Sequence, residues 1–422
     1  MATPSSSTLQ HADDDVAFLL AMLRKSQYGT LSLTLADGTT ELCQGDKPGP
    51  EATLHIHDHD AITSMLNEGD VGFAKAYQKG QWDSPHIPSL IHHFLKNKEF
   101  FDATFMDGNM RHRIVSRLRY WRQKGRLFQS KRNVLAHYDL GNDFYALWLD
   151  PTMGYTCGLF LDDNDTLEQA QNNKVDRILD KIGDVPQHIL EIGCGWGNFI
   201  RRACGKRAHR VSAITLSPQQ KEYTDDVIRT LKIGDKADVT LKDYRQCRGR
   251  YDVVVSIGMF EAVGKKYWLT YLKKVKDLLK PGGKAYIQTI LIDERHFRSY
   301  IKGTDAMRTL IFPGGALPSL ERFCHAAQKV GFRAIDIFTF GSHYAKTLTM
   351  WLQRFDAQKE TILRMESPMK PHGAPHRAYD EAFYRLWRYY LASCAGAFAA
   401  HYTDVMQIEL LNPATTYPPA MT

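Results

Sequence analysis

The sequence predicts an α/β protein in which a parallel sheet wound with crossover helices follows a smaller α+β unit. Three observations predict it. From about residue 187 short β-branched runs alternate with helical stretches; the turn Gly193-Cys194-Gly195-Trp196-Gly197 closes the first run and opens a helix; and the first hundred residues carry a different pattern, a hairpin followed by helices. Strand and helix in alternation imply parallel strands with crossover helices, and ligands at the carboxyl ends of the strands.

In chain order, Ala17 to Lys25 is predicted as a short helix. Gly29 to Leu42 is predicted as a hairpin, because Thr30, Ser32 and Thr34 alternate with Leu31, Leu33 and Leu35 ahead of an Asp37-Gly38 turn. Helices over Ile62 to Glu68 and Ile87 to Lys96 complete an N-terminal α+β unit, residues 1–105, expected to be an accessory domain. Residues 106–132 are expected to form a linker helix. From Arg111 to Arg132 it carries nine basic residues and no acidic one, and Ile114, Leu118 and Trp121 recur at i, i+4 and i+7 as an apolar seam. Such a helix suits an anionic membrane surface, and equally suits packing on a neighbouring domain. Residues 133–422 are the larger domain. Its predicted strands are His188–Ile192, Arg210–Leu216, Ala237–Leu241, Tyr251–Ile257 and Lys284–Ile290, with helices around Phe199, over Gln219 to Leu231 and over Tyr267 to Leu279.

At 422 residues and 43% hydrophobic content the chain buries one full-sized α/β core and leaves material for a second unit. No window reaches the roughly 18 to 20 apolar residues of a membrane span, and Met1 to Asp15 is polar and acidic, so a cytoplasmic protein is expected. The seven cysteines are scattered with no CxxC pair; neither a disulfide framework nor a metal site is expected. The net charge of +7 is moderate, and the sequence holds no Asn/Asp-Pro-Pro-aromatic motif and no Pro-Cys nucleophile, which disfavours chemistry on nucleic-acid bases.

The glycine turn is the chemical landmark. Glycine lets the backbone pass close to a ligand, and the helix N-terminus behind it offers free N–H groups. The pattern is G-x-G-x-G with Glu191 two positions ahead, not the G-x-G-x-x-G of a dinucleotide site. It resembles the first motif of class I S-adenosylmethionine (SAM) methyltransferases, which assigns Gly193, Gly195 and Gly197 to the cofactor. After the second strand, Thr215 and Gln220 offer polar side chains for ribose hydroxyls, while Ser217 fits either that role or a helix N-cap. After the third, Asp243 offers a carboxylate for the adenine amino group and Tyr244 a ring to stack on the base.

Longer motifs are more specific. His137-Tyr138-Asp139-Leu140-Gly141-Asn142-Asp143-Phe144-Tyr145, then Tyr155-Thr156-Cys157, the glycine loop, Gly258-Met259-Phe260-Glu261, Phe312-Pro313-Gly314-Gly315, His343-Tyr344-Ala345-Lys346-Thr347-Leu348 and Tyr390-Leu391-Ala392-Ser393-Cys394-Ala395 occur in that order. From Asn133 to Leu411 the chain resembles the cyclopropane fatty acid synthases and mycolic acid methyltransferases. The resemblance implies a Rossmann-like class I methyltransferase domain, SAM as cofactor with Tyr155 and Thr156 beside it, and transfer of a methyl carbon to the double bond of an unsaturated phospholipid acyl chain at the inner membrane face. It also implies a bicarbonate base held at Cys157, Glu261, Tyr344 and Cys394. Two family histidines are missing: Gln288 and Ala262 stand in their places. Glutamine carries no charge, so bicarbonate and Glu261 itself both stay open as the base, and cyclopropane, methyl-branched and methylene-branched products stay open with them. Phe144, Tyr145, Phe260 and Tyr344 are either faces for a substrate cation or ordinary core aromatics. A non-catalytic lipid-binding protein is the alternative to an enzyme; the oligomeric state is open, a homodimer included.

Overall fold

The computed structural model describes residues 6–102, 140–366 and 379–414. The basic segment from Arg111 to Arg132, and His137 to Asp139 of the first family motif, lie outside the described residues.

The N-terminal part runs α1 (Ser6–Leu23), β1 (Tyr28–Thr34), β2 (Thr40–Gln44), β3 (Lys47–Ile56), α2 (Asp60–Glu68), α3 (Asp70–Gln78), β4 (Trp82–Asp83) and α4 (Ile87–Lys96). Its sheet has the order β2-β1-β3-β4. β1 and β2 form the expected hairpin, Leu31 opposite Cys43, and the alternation puts Leu31 and Leu33 inside. β1 also pairs in parallel with β3, with a register shift at Gly29. A Cβ there would lie 2.2 Å from the Pro50 carbonyl oxygen, so only glycine admits the approach.

The larger part continues with α5 (Asn142–Ala146), α6 (Leu167–Ile182), β5 (His188–Ile192), α7 (Asn198–Gly205), β6 (Arg210–Thr215), α8 (Pro218–Thr230), β7 (Ala237–Leu241), β8 (Tyr251–Ile257), α9 (Trp268–Asp277) and β9 (Leu279–Ile292). It closes with α10 (Glu294–Lys302), α11 (Leu320–Lys329), β10 (Arg333–Thr339), α12 (Gly341–Ala357), α13 (Lys359–Leu363), α14 (Glu381–Ala399) and β11 (Thr403–Leu411). The seven strands have the order β10-β11-β9-β8-β5-β6-β7. β5 to β9 are mutually parallel, and β11 lies antiparallel between β9 and β10. The chain leaves β5 toward β6 on one side and returns to β8 on the other. That reversal is where an open α/β sheet makes its ligand crevice.

The predicted strands appear at the expected places, β9 excepted, which begins five residues early because Pro281-Gly282-Gly283 continues the strand rather than turning.

One apolar cluster runs through both parts, from Leu31, Phe73 and Trp82 to Trp351, Tyr389 and Trp387. α14 makes the junction. Its Gly396 packs so closely on α4 that a Cβ would sit 2.6 Å from the Pro88 oxygen and 2.8 Å from Ile91 Cβ. Arg385 donates to the carbonyls of Tyr77 at 2.5 Å and Trp82 at 2.9 Å, and Arg388 donates to the Tyr77 hydroxyl at 2.7 Å. Both guanidinium groups are half-buried, and each also meets a carboxylate, Asp83 for Arg385 and Asp356 for Arg388.

Candidate active site

β5 ends in the crevice, and the chain turns through Gly193, Gly195 and Gly197 at φ +85°, +53° and +83°, a region that side chains disfavour. A Cβ on Gly195 would meet nothing within 4 Å. At Gly197 a Cβ would lie 3.0 Å from Thr224 on α8, so its smallness serves the contact between α7 and α8; unlike Gly193 and Gly195, it does not border the cavity described next.

A cavity of about 970 Å³ opens at this turn, bordered by Tyr155, Thr156, Gly193, Gly195, Thr215, Gln220, Asp243 and Tyr244. Thr215 donates to the Gln220 side chain at 2.8 Å, which holds the amide at the end of β6. Ser217 caps α8, accepting from the Gln220 N–H at 3.3 Å. Asp243 accepts from the Arg245 side chain at 2.7 and 2.9 Å, and the Tyr244 ring stands edge-on to Tyr271, 5.0 Å away. Tyr155 shares a 2.8 Å hydrogen bond with Tyr390, and Thr156 is held at its carbonyl by Gln171 at 2.7 Å and at its hydroxyl by the Lys174 ammonium.

Two bordering residues fall outside the sequence-derived set. Glu191, in β5, is buried; burial pushes its carboxyl up to about 8, and Oε2 has no hydrogen-bond partner among the described residues. An acid inside the apolar run of His188-Ile189-Leu190-Glu191-Ile192 was the available signal. Lys174, which burial pushes down to about 8, had none: it is one of many polar residues on α6, and only the fold turns it inward.

At the far end stand Glu261, Tyr344 and Cys394, brought by the turn after β8, by α12 and by α14. Glu261 Oε1 accepts from the Ile290 N–H at 2.7 Å, while Oε2 has no partner among the described residues. Burial outweighs those hydrogen bonds and lifts the carboxyl to about 7. Burial pushes the Tyr344 hydroxyl up, and Cys157, Glu261 and Cys394 lie near enough to raise it further once ionised, so the fold gathers four of the named residues from separate segments. Cys157 lies behind the wall with Sγ on the Gly158 carbonyl at 3.1 Å, and burial raises both thiols, Cys394 to about 12. Neither is a thiolate near neutral pH.

Gln288 points elsewhere. Its Oε1 accepts from Gln407 of β11 at 3.0 Å, Gln407 in turn accepts from Arg177 at 3.0 Å, and Gln288 does not border the cavity. No histidine is among the described residues that do. Of the four aromatics named for a cation, Tyr344 alone reaches the cavity. Phe144 packs on Trp387 at 5.0 Å, Tyr145 on Trp196 at 5.0 Å and Phe260 on Phe323 at 4.9 Å, all fully buried, so these three are core. Phe312, Tyr389, Tyr390 and Phe398 are among the other rings that line the cavity.

A seven-stranded sheet of this order, with a glycine turn and an acid at the carboxyl end of its first strand, defines a class I SAM-dependent methyltransferase. The family model for mycolic acid cyclopropane synthetase matches residues 126–408, and the chain belongs to that family. A tuberculostearic acid methyltransferase of Mycobacterium tuberculosis is 32% identical over 92% of this chain and 89% of its own. The cyclopropane-fatty-acyl-phospholipid synthase of Escherichia coli is 30% identical over 85% of this chain and 87% of its own. The crystal structure of the mycolic acid cyclopropane synthase CmaA1 with SAH and CTAB superposes with a TM-score of 0.60 at 32% identity, over 67% of this chain and 98% of that one. The chain is thus an enzyme, and the non-catalytic alternative is set aside. No helix among the described residues is long and apolar enough to cross a membrane.

Proposed function

We propose that this enzyme methylates the double bond of an unsaturated phospholipid acyl chain, with Glu261 as the base, and yields a methyl- or methylene-branched chain rather than a cyclopropane. One observation carries the reading: Glu261 keeps a buried, unpartnered oxygen at a cavity end that offers no histidine, and Gln288 is engaged by Gln407. The names of the relatives support methyl transfer to fatty acyl chains and divide between methylated and cyclopropane products.

SAM fits the glycine end. Gly195 leaves open space toward the cavity, and the unpartnered Glu191 oxygen suits a cationic group of the cofactor. When bound, SAM supplies an electrophilic methyl group. Tyr155 and Thr156, fixed by Tyr390, Gln171 and Lys174, wall the passage between the two ends of the cavity. The alkene is a poor nucleophile, so the walls must hold it in line and keep water out. Its electron pair would form the new carbon–carbon bond as the methyl–sulfur bond breaks and S-adenosylhomocysteine leaves, and the Tyr344 ring, which lines the cavity, offers a face to the cation left on the neighbouring carbon. Glu261 then takes a proton through Oε2. Taken from a chain carbon, the proton leaves a methyl-branched alkene; taken from the new methyl group after a 1,2-hydride shift onto the cationic carbon, it leaves a methylene branch; taken from the new methyl group without that shift, it closes a ring.

The test is methyl transfer from labelled SAM to vesicles of dioleoyl phospholipid in bicarbonate-free buffer, with mass spectrometry of the released acyl chains. Branched product without added bicarbonate is expected. A purely cyclopropane product that requires bicarbonate would overturn the assignment of the base.

A further inference from the structure

The cavity does not end at the catalytic residues. It continues to a mouth between two banks, one on the N-terminal part and one on the methyltransferase sheet. The first bank is α4 and the residues after it: Ile91, Phe94 and Leu95 face the cavity, and Lys98 and Phe101 stand nearer its edge. The second is α10, whose Ser299 borders the cavity, together with Gly303 and Thr304. The banks are close enough that His296 of α10 feels the charges of Lys98 and Glu99.

α10 is sharply two-sided. Phe297 and Tyr300 are buried, while Arg298, Ser299 and Lys302 are exposed; Ser299 and Gly303 border the cavity, and Arg298 and Lys302 adjoin them in the chain without lining it. Arg298 and Lys302 are one turn apart, on the same face. Nearby, Lys98 pairs with Asp102 at 2.5 Å and Arg295 with Asp293 at 2.9 Å, while the exposed Glu99 lies close enough to act on Arg295 and His296. Lys302 makes no ion pair among the described residues, and Arg298 lies near the Glu294 carboxylate, which Arg322 already engages at 2.7 Å. Lys265, its ammonium 5.5 Å from the Phe297 ring, adds a third positive group nearby.

We infer that Arg298 and Lys302 hold the phosphate of an anionic phospholipid headgroup, while the acyl chain runs inward along Ile91, Phe94 and Leu95 toward Glu261. The inference rests on the acyl-methylation reading above and deepens it by naming the form in which the chain is delivered. A wall made half by the N-terminal part gives that part a task in substrate selection. A cationic rim above an apolar channel matches a lipid with an anionic head, and has no use for a neutral one.

The experiment compares methylation of dioleoylphosphatidylglycerol vesicles with methylation of oleate in detergent, for the wild type and for Arg298→Gln/Lys302→Gln. Two lost cationic contacts should raise KM for the vesicles about thirtyfold at low salt. Turnover at saturation and SAM affinity should hold, the gap should narrow in high salt, and the ratio of vesicle to oleate efficiency should fall. An unchanged KM for vesicles overturns the inference. Wild-type activity on oleate alone also overturns it and leaves acyl methylation standing, whereas activity on neither substrate removes the reading on which it rests. Circular dichroism of the variant, at two exposed positions, separates a binding loss from misfolding.

Discussion

Gln407 donates from β11 to Gln288 on β9 at 3.0 Å, and its second amide hydrogen reaches the Lys174 carbonyl, also at 3.0 Å. Gln288, for which the sequence resemblance implies an active-site histidine position, is therefore tied through Gln407 to β11 and α6.

Replacing Gln288 with leucine should cost stability rather than chemistry. Gln407 keeps its bond to Lys174 but loses a buried acceptor, a loss of about 1 to 3 kcal/mol. Denaturant titration should show a lower midpoint, with turnover within a few fold of wild type. A hundredfold loss of turnover at unchanged stability would place Gln288 in the reacting cavity after all.

Gly195→Leu should remove SAM binding while leaving a folded protein, because the side chain would enter the open space beside the glycine turn at φ +53°. The strained backbone adds roughly 1 to 2 kcal/mol. Calorimetry decides it: undiminished SAM affinity would refute the placement of the cofactor.

Glu261→Gln should lower turnover by about 10² to 10⁴, the usual worth of a positioned base. Since the carboxylate is the active form and its carboxyl is lifted to about 7, wild-type activity should rise with pH through 7 and then level off. In the glutamine variant the residual activity should lose that limb. A limb that survives the substitution would assign the base to another group.

Stability should run the opposite way. Glu191 and Glu261 are raised to about 8 and about 7 from an ordinary value of 4.5, so the folded protein binds their protons more tightly than the unfolded chain does. Their contribution is fully present below 4.5 and is lost as pH rises through 7 and 8. Melting without cofactor should therefore occur at lower temperature at pH 8.5 than at pH 6, and Glu191→Gln should flatten the slope. An equal slope in that variant would show that Glu191 titrates normally.

Much of the sheet was legible because its strands are short apolar runs closed by turn residues; β5, β7 and β8 match to the residue. β3 was not, since Lys47-Pro48-Gly49-Pro50 reads as a loop and only the parallel partner β1 makes it a strand. Nor was α3, separated from α2 by Gly69 alone at φ +62°. In the site, the glycine turn was legible because it answers a local backbone demand. The direction of Gln288 was not, because it is set by Gln407, more than a hundred residues further along. Lys174 and the core placement of Phe144 and Phe260 are likewise decided by what packs against them, which no local pattern carries.

The close contact at Gly396 has a consequence for how the chain comes apart. With α4 seated on α14 almost backbone to side chain, the two sheets have no slack along which to separate, and one melting transition should serve both. Excising residues up to 102 would then strip away Ile91, Phe94 and Leu95, and with them one side of the cavity wall.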